Sequence, residues 1–215
     1  MSSRPRSEAS DDDFLLSVWP VAQQTAGSQR RDGYLPGSTA HPGKMLPALA
    51  RQVIQTYSRP GELVLGPMCG IGTTLVEAIQ LYRDATGIEL EPRWAMIATG
   101  NVALARQRGA PGQAICLRGD ARQLGHRLLE EVAGTVPLIL TSPPYGPSLH
   151  GQVKAGQGRP VEKWDDRYSH NPRNLALKGA DNRVAALLGK AWEDRRHGLL
   201  VALPRGAGSA RRARA

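Results

Sequence analysis

The sequence predicts an α/β fold, a parallel sheet covered by helices, on three observations. Short apolar runs alternate with amphipathic ones from residue 58 onward. The 215 residues, 40% of them hydrophobic, are enough to bury the core of one ordinary domain. The turns that leave the apolar runs carry glycines and carboxylates, and sheets of this kind hold ligands at those strand ends.

Each element follows from its residues. Residues 1 to 13 are polar, end in Asp11-Asp12-Asp13 and read as disordered, so 1 to 29 are expected to form a loosely packed lead-in. The run "QRRDGYLPGSTAHPGK" (29 to 44) is dense in turn formers and reads as loop. In "MLPALARQVIQTY", Leu46, Leu49, Val53, Ile54 and Tyr57 fall on one helical face, with Pro47 in the first turn. After the breaker at 58 to 61, "ELVLG" (62 to 66) is a strand and "TTLVEAIQLY" (73 to 82) a helix. "ATGIEL" (85 to 90) and "PRWAMIATGNVALARQRG" (92 to 109) repeat the pair. "AICLRGD" (114 to 120), "ARQLGHRLLEEVAG" (121 to 134) and "VPLIL" (136 to 140) add a strand, a helix and a fourth strand. Such alternation favours a parallel sheet. Residues 146 to 180 show no sustained period and read as loop; 184 to 194 can form a helix and "GLLVAL" a strand.

Composition narrows the function classes. No apolar stretch reaches the roughly 18 residues of a membrane span and the start has no secretory h-region, so a cytoplasmic location is expected. Two cysteines, Cys69 and Cys116, suit neither a disulfide framework nor a metal knuckle and read as reduced thiols. No histidine stands at ligand spacing, and no metal is expected. The net charge is +9, of which +5 lies in residues 181 to 215, an atypical basic tail. A basic balance suits a nucleic-acid partner, but more than half of it lies outside the expected core, so charge supports that partner only modestly.

Chemistry concentrates at four strand ends. Gly66 to Thr74, "GPMCGIGTT", joins the first strand to its helix, where glycines admit a ligand to the backbone and the helix offers free N–H groups. It lacks the lysine of a phosphate loop, and by itself it is equally a tight connection. Glu89 ends the second strand, where a carboxylate can accept both hydroxyls of a ribose. Asp120 ends the third and can meet an adenine amino group. Together the three form a nucleoside-binding edge. The fourth strand breaks into Ser142-Pro143-Pro144-Tyr145. An exocyclic amine of a nucleobase is a poor nucleophile because its lone pair is delocalised into the ring. Acceptors aimed at its N–H bonds free that pair for in-line attack on an electrophilic carbon. Ser142 supplies a side-chain oxygen and Pro143 a carbonyl, while the rigid rings of Pro143 and Pro144 fix the backbone. Tyr145 offers a face for stacking a base swung out of a duplex. A Pro-Pro turn with a packed tyrosine is the alternative.

"TSPPYG", with "GPMCGIGTT", "GIELEP" and "GDA", resembles the amino-methyltransferase family that modifies cytosine N4 or adenine N6 in DNA with S-adenosylmethionine. "AHPGKMLP" (40 to 47) is similar to the segment beside the cofactor's methionine part in that family. The resemblance covers roughly residues 30 to 175. It implies a Rossmann-like methyltransferase fold with helices on both faces, its core over residues 30 to 145. It further implies that Lys44, Gly66, Pro67, Cys69, Gly70, Gly72, Thr73, Thr74, Glu89 and Asp120 hold S-adenosylmethionine. Ser142, Pro143, Pro144 and Tyr145 would hold the target amine, in double-stranded DNA with the base flipped out. A leading serine resembles the cytosine-N4 branch more than the adenine-N6 branch. Carbon-5 methylation fits less well, since the chain has no Pro-Cys pair.

Two departures from that family stand out. Gly66-Pro67 replaces the usual Asp-Pro, which implies weaker hold on the cofactor's ammonium group. The family's sheet has seven strands, whereas this sequence offers four and the fainter "GLLVAL", so the last strands are expected to be missing and the fourth to lie near an edge. Arginine outnumbers lysine 23 to 5 and the tail is mostly Gly, Ala, Arg and Pro, so the chain reads as truncated or frame-disrupted from about residue 176. An alternative reading frame without apolar strands after that point would argue against this. A tRNA guanine-N2 methyltransferase uses a similar Pro-Pro-Tyr element, but usually with Asp first and an amino-terminal RNA-binding domain. A remnant that only binds cofactor or nucleic acid is the third reading. In 146 to 180, Lys154, Arg159, Lys163, Trp164, Arg167, Tyr168 and Arg173 either contact nucleic acid or form a solvated loop with Trp164 packed back.

Overall fold

The structure, a computed structural model, describes residues 19 to 21, 23 to 121 and 136 to 142, and the backbone strands 149 to 154, 162 to 166 and 199 to 202. The expected disordered start, the expected helices over 121 to 134 and 184 to 194, Pro143 to Tyr145 and the basic end of the chain lie outside these residues, apart from Ala121 itself.

The alternation of the sequence becomes a parallel sheet. Its strands are β1 (Leu63–Gly66), β2 (Asp84–Glu89), β3 (Ala114–Arg118), β4 (Leu138–Thr141) and, later in the chain, β7 (Leu199–Ala202). They lie in the order β3-β2-β1-β4-β7, all neighbours parallel. This is the Rossmann-like arrangement: the chain moves outward from β1 through β2 to β3, then crosses back to place β4 on the other side. The crevice between β1 and β4 is therefore the switch point where such sheets take ligands. "GLLVAL" does form a strand, and it covers β4 on the side expected to be open.

Three helices complete the described core: α1 (Pro47–Tyr57), α2 (Thr73–Gln80) and α3 (Pro92–Gln107). Pro47 and Pro92 stand in their first turns, where the missing N–H has no helical partner to lose. Val64, Leu138 and Leu140 share one cluster with Val53, Ile54, Leu75, Ile79 and Val102 of the helices. Leu65 and Ile139, one residue out of phase, join Leu63 and Val136 in a second cluster on the opposite face. All three described helices thus contribute to the first face, and the segment read as a helix over 121 to 134 lies outside the described residues apart from Ala121. On α1 the buried set is Pro47, Ala50, Val53 and Ile54, whereas Tyr57, expected inside, is 37% exposed.

The described end of the lead-in packs on α1. Gln29 accepts the Ala48 N–H at 2.9 Å, and the Trp19 ring lies 6.2 Å from that of Tyr57. The segment expected to be loop after residue 146 also carries order. β5 (Leu149–Lys154) and β6 (Glu162–Asp166) pair antiparallel with an irregularity between His150 and Val153. β5 alternates Leu149, Gly151 and Val153 with His150, Gln152 and Lys154, but over six residues only, and β6 has Trp164 alone among charged residues, so no period runs through the pair.

A buried polar network underlies α2. Glu77, 1% exposed, accepts the Tyr34 hydroxyl at 2.8 Å and two Arg51 bonds at 3.1 and 2.7 Å. Arg30, 4% exposed, places its guanidinium 5.5 Å from the Tyr34 ring and donates to the carbonyls of Ala26 and Met45. Burial raises the Glu77 carboxyl above its usual value, against the pull of Arg51.

Candidate active site

The glycine turn is built to lie flat against the sheet. Cys69 donates its N–H to the Ile88 carbonyl at 2.9 Å, and Gly72 donates to the Cys69 carbonyl at 2.8 Å. Gly70 and Gly72 adopt φ of +55° and +80°, a region that costs any residue with a Cβ. A Cβ on Gly72 would also lie 3.1 Å from the Ala98 Cβ and 3.2 Å from its Cα on α3. Gly66 differs. Its φ is not positive, and its nearest neighbour would be the Cys69 Cβ at 3.5 Å. We therefore expect Gly72→Ala to lower stability by about 1–3 kcal/mol while Gly66→Ala stays within about 1 kcal/mol of the parent. Chemical denaturation of the two variants checks this, and equal losses would refute the account of the turn.

Glu89, at the carboxyl end of β2, is 5% exposed and held by two backbone donors. Gly70 donates to its Oε2 at 2.8 Å and Glu91 to its Oε1 at 2.9 Å. Burial raises its carboxyl above the usual range, and the N–H groups of Glu91, Gly70 and Leu90 oppose that rise. The same residue's carbonyl accepts the Gly119 N–H at 2.9 Å, which ties the end of β2 to the turn carrying Asp120. β3 itself ends at Arg118, so Asp120 stands half-buried just beyond the strand and not on it.

Two side-chain bonds close the switch point. Thr74 donates to the Leu140 carbonyl and Thr141 to the Met68 carbonyl, both at 3.4 Å. They fasten the glycine turn to β4, whose next residue is Ser142. A cleft forms there, lined by His41, Gly43, Lys44, Met45, Met68, Cys69, Gly70, Ile71, Thr73, Thr74 and Ser142. Its outer wall is the 41 to 45 segment, held by Lys44, which donates to the carbonyls of Thr39 and His41, and by Arg30 on the Met45 carbonyl. Asn101 of α3 is the rear anchor. It donates to the Ile71 carbonyl and the Ser38 hydroxyl, each at 2.9 Å, and accepts the Leu35 N–H at 2.7 Å.

Of the residues singled out in the sequence, Lys44, Cys69, Gly70, Thr73, Thr74 and Ser142 share this cleft, and Glu89 is joined to it through Gly70. Gly66, Pro67 and Gly72 shape the turn without lining it, and Asp120 is not on its wall. Pro143, Pro144 and Tyr145 lie outside the described residues. Sequence reasoning missed Arg30, His41 and Asn101. His41 is 1% exposed, with its ring 4.7 Å from that of Trp94 and its Nε2 3.0 Å from where a Cβ on Gly70 would be. Each of the three acts through partners remote in sequence, and no local pattern signals that. Among the described residues no three His, Cys, Asp or Glu side chains group as a metal site, and no helix is long and apolar enough to cross a membrane.

Comparison with known proteins shows what the chain is similar to. The family described as DNA methylase matches residues 2–99. The tRNA (guanine(10)-N2)-dimethyltransferase of Methanocaldococcus jannaschii is 34% identical over 108 residues, 49% of this chain and 30% of that protein. The type II methyltransferase M.MjaII of the same organism is 26% identical over 80 residues, 37% of this chain and 15% of that protein. This chain thus spans less than a third of either relative. Among solved structures, the SAM dependent methyltransferase of Agrobacterium tumefaciens is 26% identical, covering 52% of this chain and 33% of that one with a TM-score of 0.36.

Proposed function

We propose, from the match of residues 2–99 to the family described as DNA methylase, that the chain transfers a methyl group to an exocyclic amine of a nucleic-acid base, cytosine N4 in DNA before adenine N6. The cofactor of such enzymes is S-adenosylmethionine, which supplies an electrophilic methyl on a sulfonium sulfur. The residues present fit it. The Glu89 carboxylate accepts backbone N–H bonds on both oxygens and, with about four lone-pair sites, keeps capacity for a ribose hydroxyl. Thr73, Thr74 and Lys44 border the cleft that would take the methionine part, and Asp120 would accept from the adenine amino group.

The observation that carries the reading is that Ser142 lines the same cleft as Gly70, Thr73 and Thr74. An acceptor for the target amine and a cradle for the methyl donor then share one wall, which is what in-line transfer requires. Ser142 Oγ and the Pro143 carbonyl would take the amine's two N–H bonds, leaving its lone pair to form the new N–C bond. Tyr145 would stack on the base. The new N–C bond would replace the donor's S–C bond, leaving a neutral thioether, and the amine's surplus proton would pass to water.

A second reading has its own support. The 34% identity to a relative named as a tRNA guanine-N2 dimethyltransferase favours guanine N2 in RNA, although Ser142 stands where that kind of enzyme usually has Asp. A chain that binds cofactor without transferring is the third. The test is incubation with methyl-labelled S-adenosylmethionine and either duplex DNA or tRNA, with nucleosides identified by mass spectrometry. We expect N4-methylcytosine from DNA. N6-methyladenine would keep the reaction and change the base, N2-methylguanine from tRNA would establish the second reading, and cofactor binding with no labelled nucleoside would leave the third.

A further inference from the structure

We propose that Cys69 and Cys116 are a modification site, a dithiol that closes to a reversible disulfide and thereby disables the cofactor cleft. The consequence for the cleft rests on the cofactor reading above; the bond itself does not. The two residues are 47 apart in sequence, yet their Sγ atoms lie 3.6 Å apart, and both thiols are free.

The contact has a specific structural cause. Cys116 on β3 stands opposite Gly87 on β2, which stands opposite Gly66 on β1. Gly87 has no side chain, and a Cβ there would lie 2.9 Å from the Cys69 Sγ and 3.0 Å from its Cβ. The glycine turn therefore lays Cys69 over the gap at Gly87, and the thiol reaches across one strand to Cys116. Cys69 is also part of the cleft wall, next to Gly70, whose N–H holds Glu89. Cys116 is half-buried and does not line the cleft. With Cys69 donating its S–H, the Cys116 thiol is lowered from its usual value, and it is the partner more readily ionised.

With hydrogen peroxide as oxidant, the Cys116 thiolate attacks one peroxide oxygen and the O–O bond breaks, giving a sulfenic acid and hydroxide. The Cys69 sulfur then attacks the Cys116 sulfur, the S–O bond breaks, and the departing hydroxide leaves with the Cys69 proton as water. Two thiols and one peroxide become one disulfide and two waters; the sulfurs lose two electrons and the peroxide gains them. A dithiol reductant reverses the step by exchange. A disulfide needs its sulfurs at about 2.05 Å, so one side must travel about 1.5 Å. Cys116 is held along the whole β2–β3 ladder, whereas Cys69 is tied to the sheet by one N–H on the Ile88 carbonyl, so closure strains the turn beside Gly70. Strain at the turn that presents Gly70 to Glu89 should weaken cofactor affinity by about tenfold, the equivalent of one lost hydrogen bond.

The experiment uses the full chain, reduced, peroxide-treated, and re-reduced with dithiothreitol. Intact mass and non-reducing peptide mapping read the bond; calorimetric titration with S-adenosylmethionine reads the cleft. We expect a monomer lighter by two hydrogens, a Cys69–Cys116 cross-linked peptide, affinity down about tenfold, and recovery of both on reduction. Cys116→Ser should bind like the reduced parent before and after peroxide. Sulfinic acid or intermolecular dimers in place of the internal bond would overturn the modification site. An internal bond with unchanged affinity would overturn its effect on the cleft. If the reduced chain binds no cofactor at all, the cofactor reading and that effect fail together, while the mass result still decides the bond.

Discussion

Glu77→Ala should lower stability by about 3 to 5 kcal/mol, the loss typical of removing one member of a buried charged set. Glu77 is the acceptor that Tyr34 and Arg51 share, and it is the carboxylate whose charge acts on the buried Arg30. Truncation leaves the Tyr34 hydroxyl without its acceptor, Arg30 without its countercharge, and a void beneath α2. Arg51 contributes less to the loss, because its side chain is 48% exposed and finds water. Glu77→Gln keeps the shape and the bond from Tyr34, so its loss should be smaller. The pH dependence has a definite sign. A carboxyl raised in the fold binds its proton more tightly there than in the unfolded chain, so its contribution is full below 4.5 and is lost as pH rises through the raised value. The advantage of the parent over Glu77→Gln should therefore shrink with rising pH. Denaturant titrations across that range decide it, and a gap that widens with pH would refute the assignment of burial as the dominant influence.

Glu89→Ala should weaken S-adenosylmethionine binding by about a hundredfold, or ~2.7 kcal/mol. The change removes two acceptors proposed for the ribose hydroxyls, and it also frees the Gly70 and Glu91 N–H groups that the carboxylate fixes. Glu89→Gln separates these effects. An amide can satisfy only one of the two backbone donors with its oxygen, so it should bind between the parent and the alanine variant. The parent's affinity should fall as pH drops through the raised Glu89 value, since the neutral acid loses an acceptor; Glu89→Gln should lack that fall. Calorimetry on chains whose unfolding transitions remain intact is the measurement. An alanine variant that binds like the parent would move the ribose site elsewhere and remove Glu89 from the proposal.

Much of the framework was legible because it is written locally. Strand alternation with helices reports burial at neighbouring positions, so β1 to β4 and α1 to α3 were placed within a few residues. The glycine turn, Glu89 and Ser142 were legible because strand ends in a parallel sheet converge on one edge. Tyr57 was misread because helical phase says which residues share a face but not how far along the helix that face stays covered. The antiparallel pair β5 and β6 escaped because the alternation of β5 is short and interrupted by Gly151, and β6 answers it with a charged run that has no apolar face.

By itself, then, the sequence determined the parallel α/β fold and the strand ends where chemistry gathers, since both follow from periodicity and turn residues that neighbouring positions suffice to set. Only the tertiary structure decided that Thr74 and Thr141 fasten the turn to β4, that Arg30, Tyr34 and Glu77 share one buried network, and that Cys69 meets Cys116 across Gly87. Each of these joins residues many positions apart, and such contacts depend on strand order, register and the space left by a missing side chain, which no local pattern encodes.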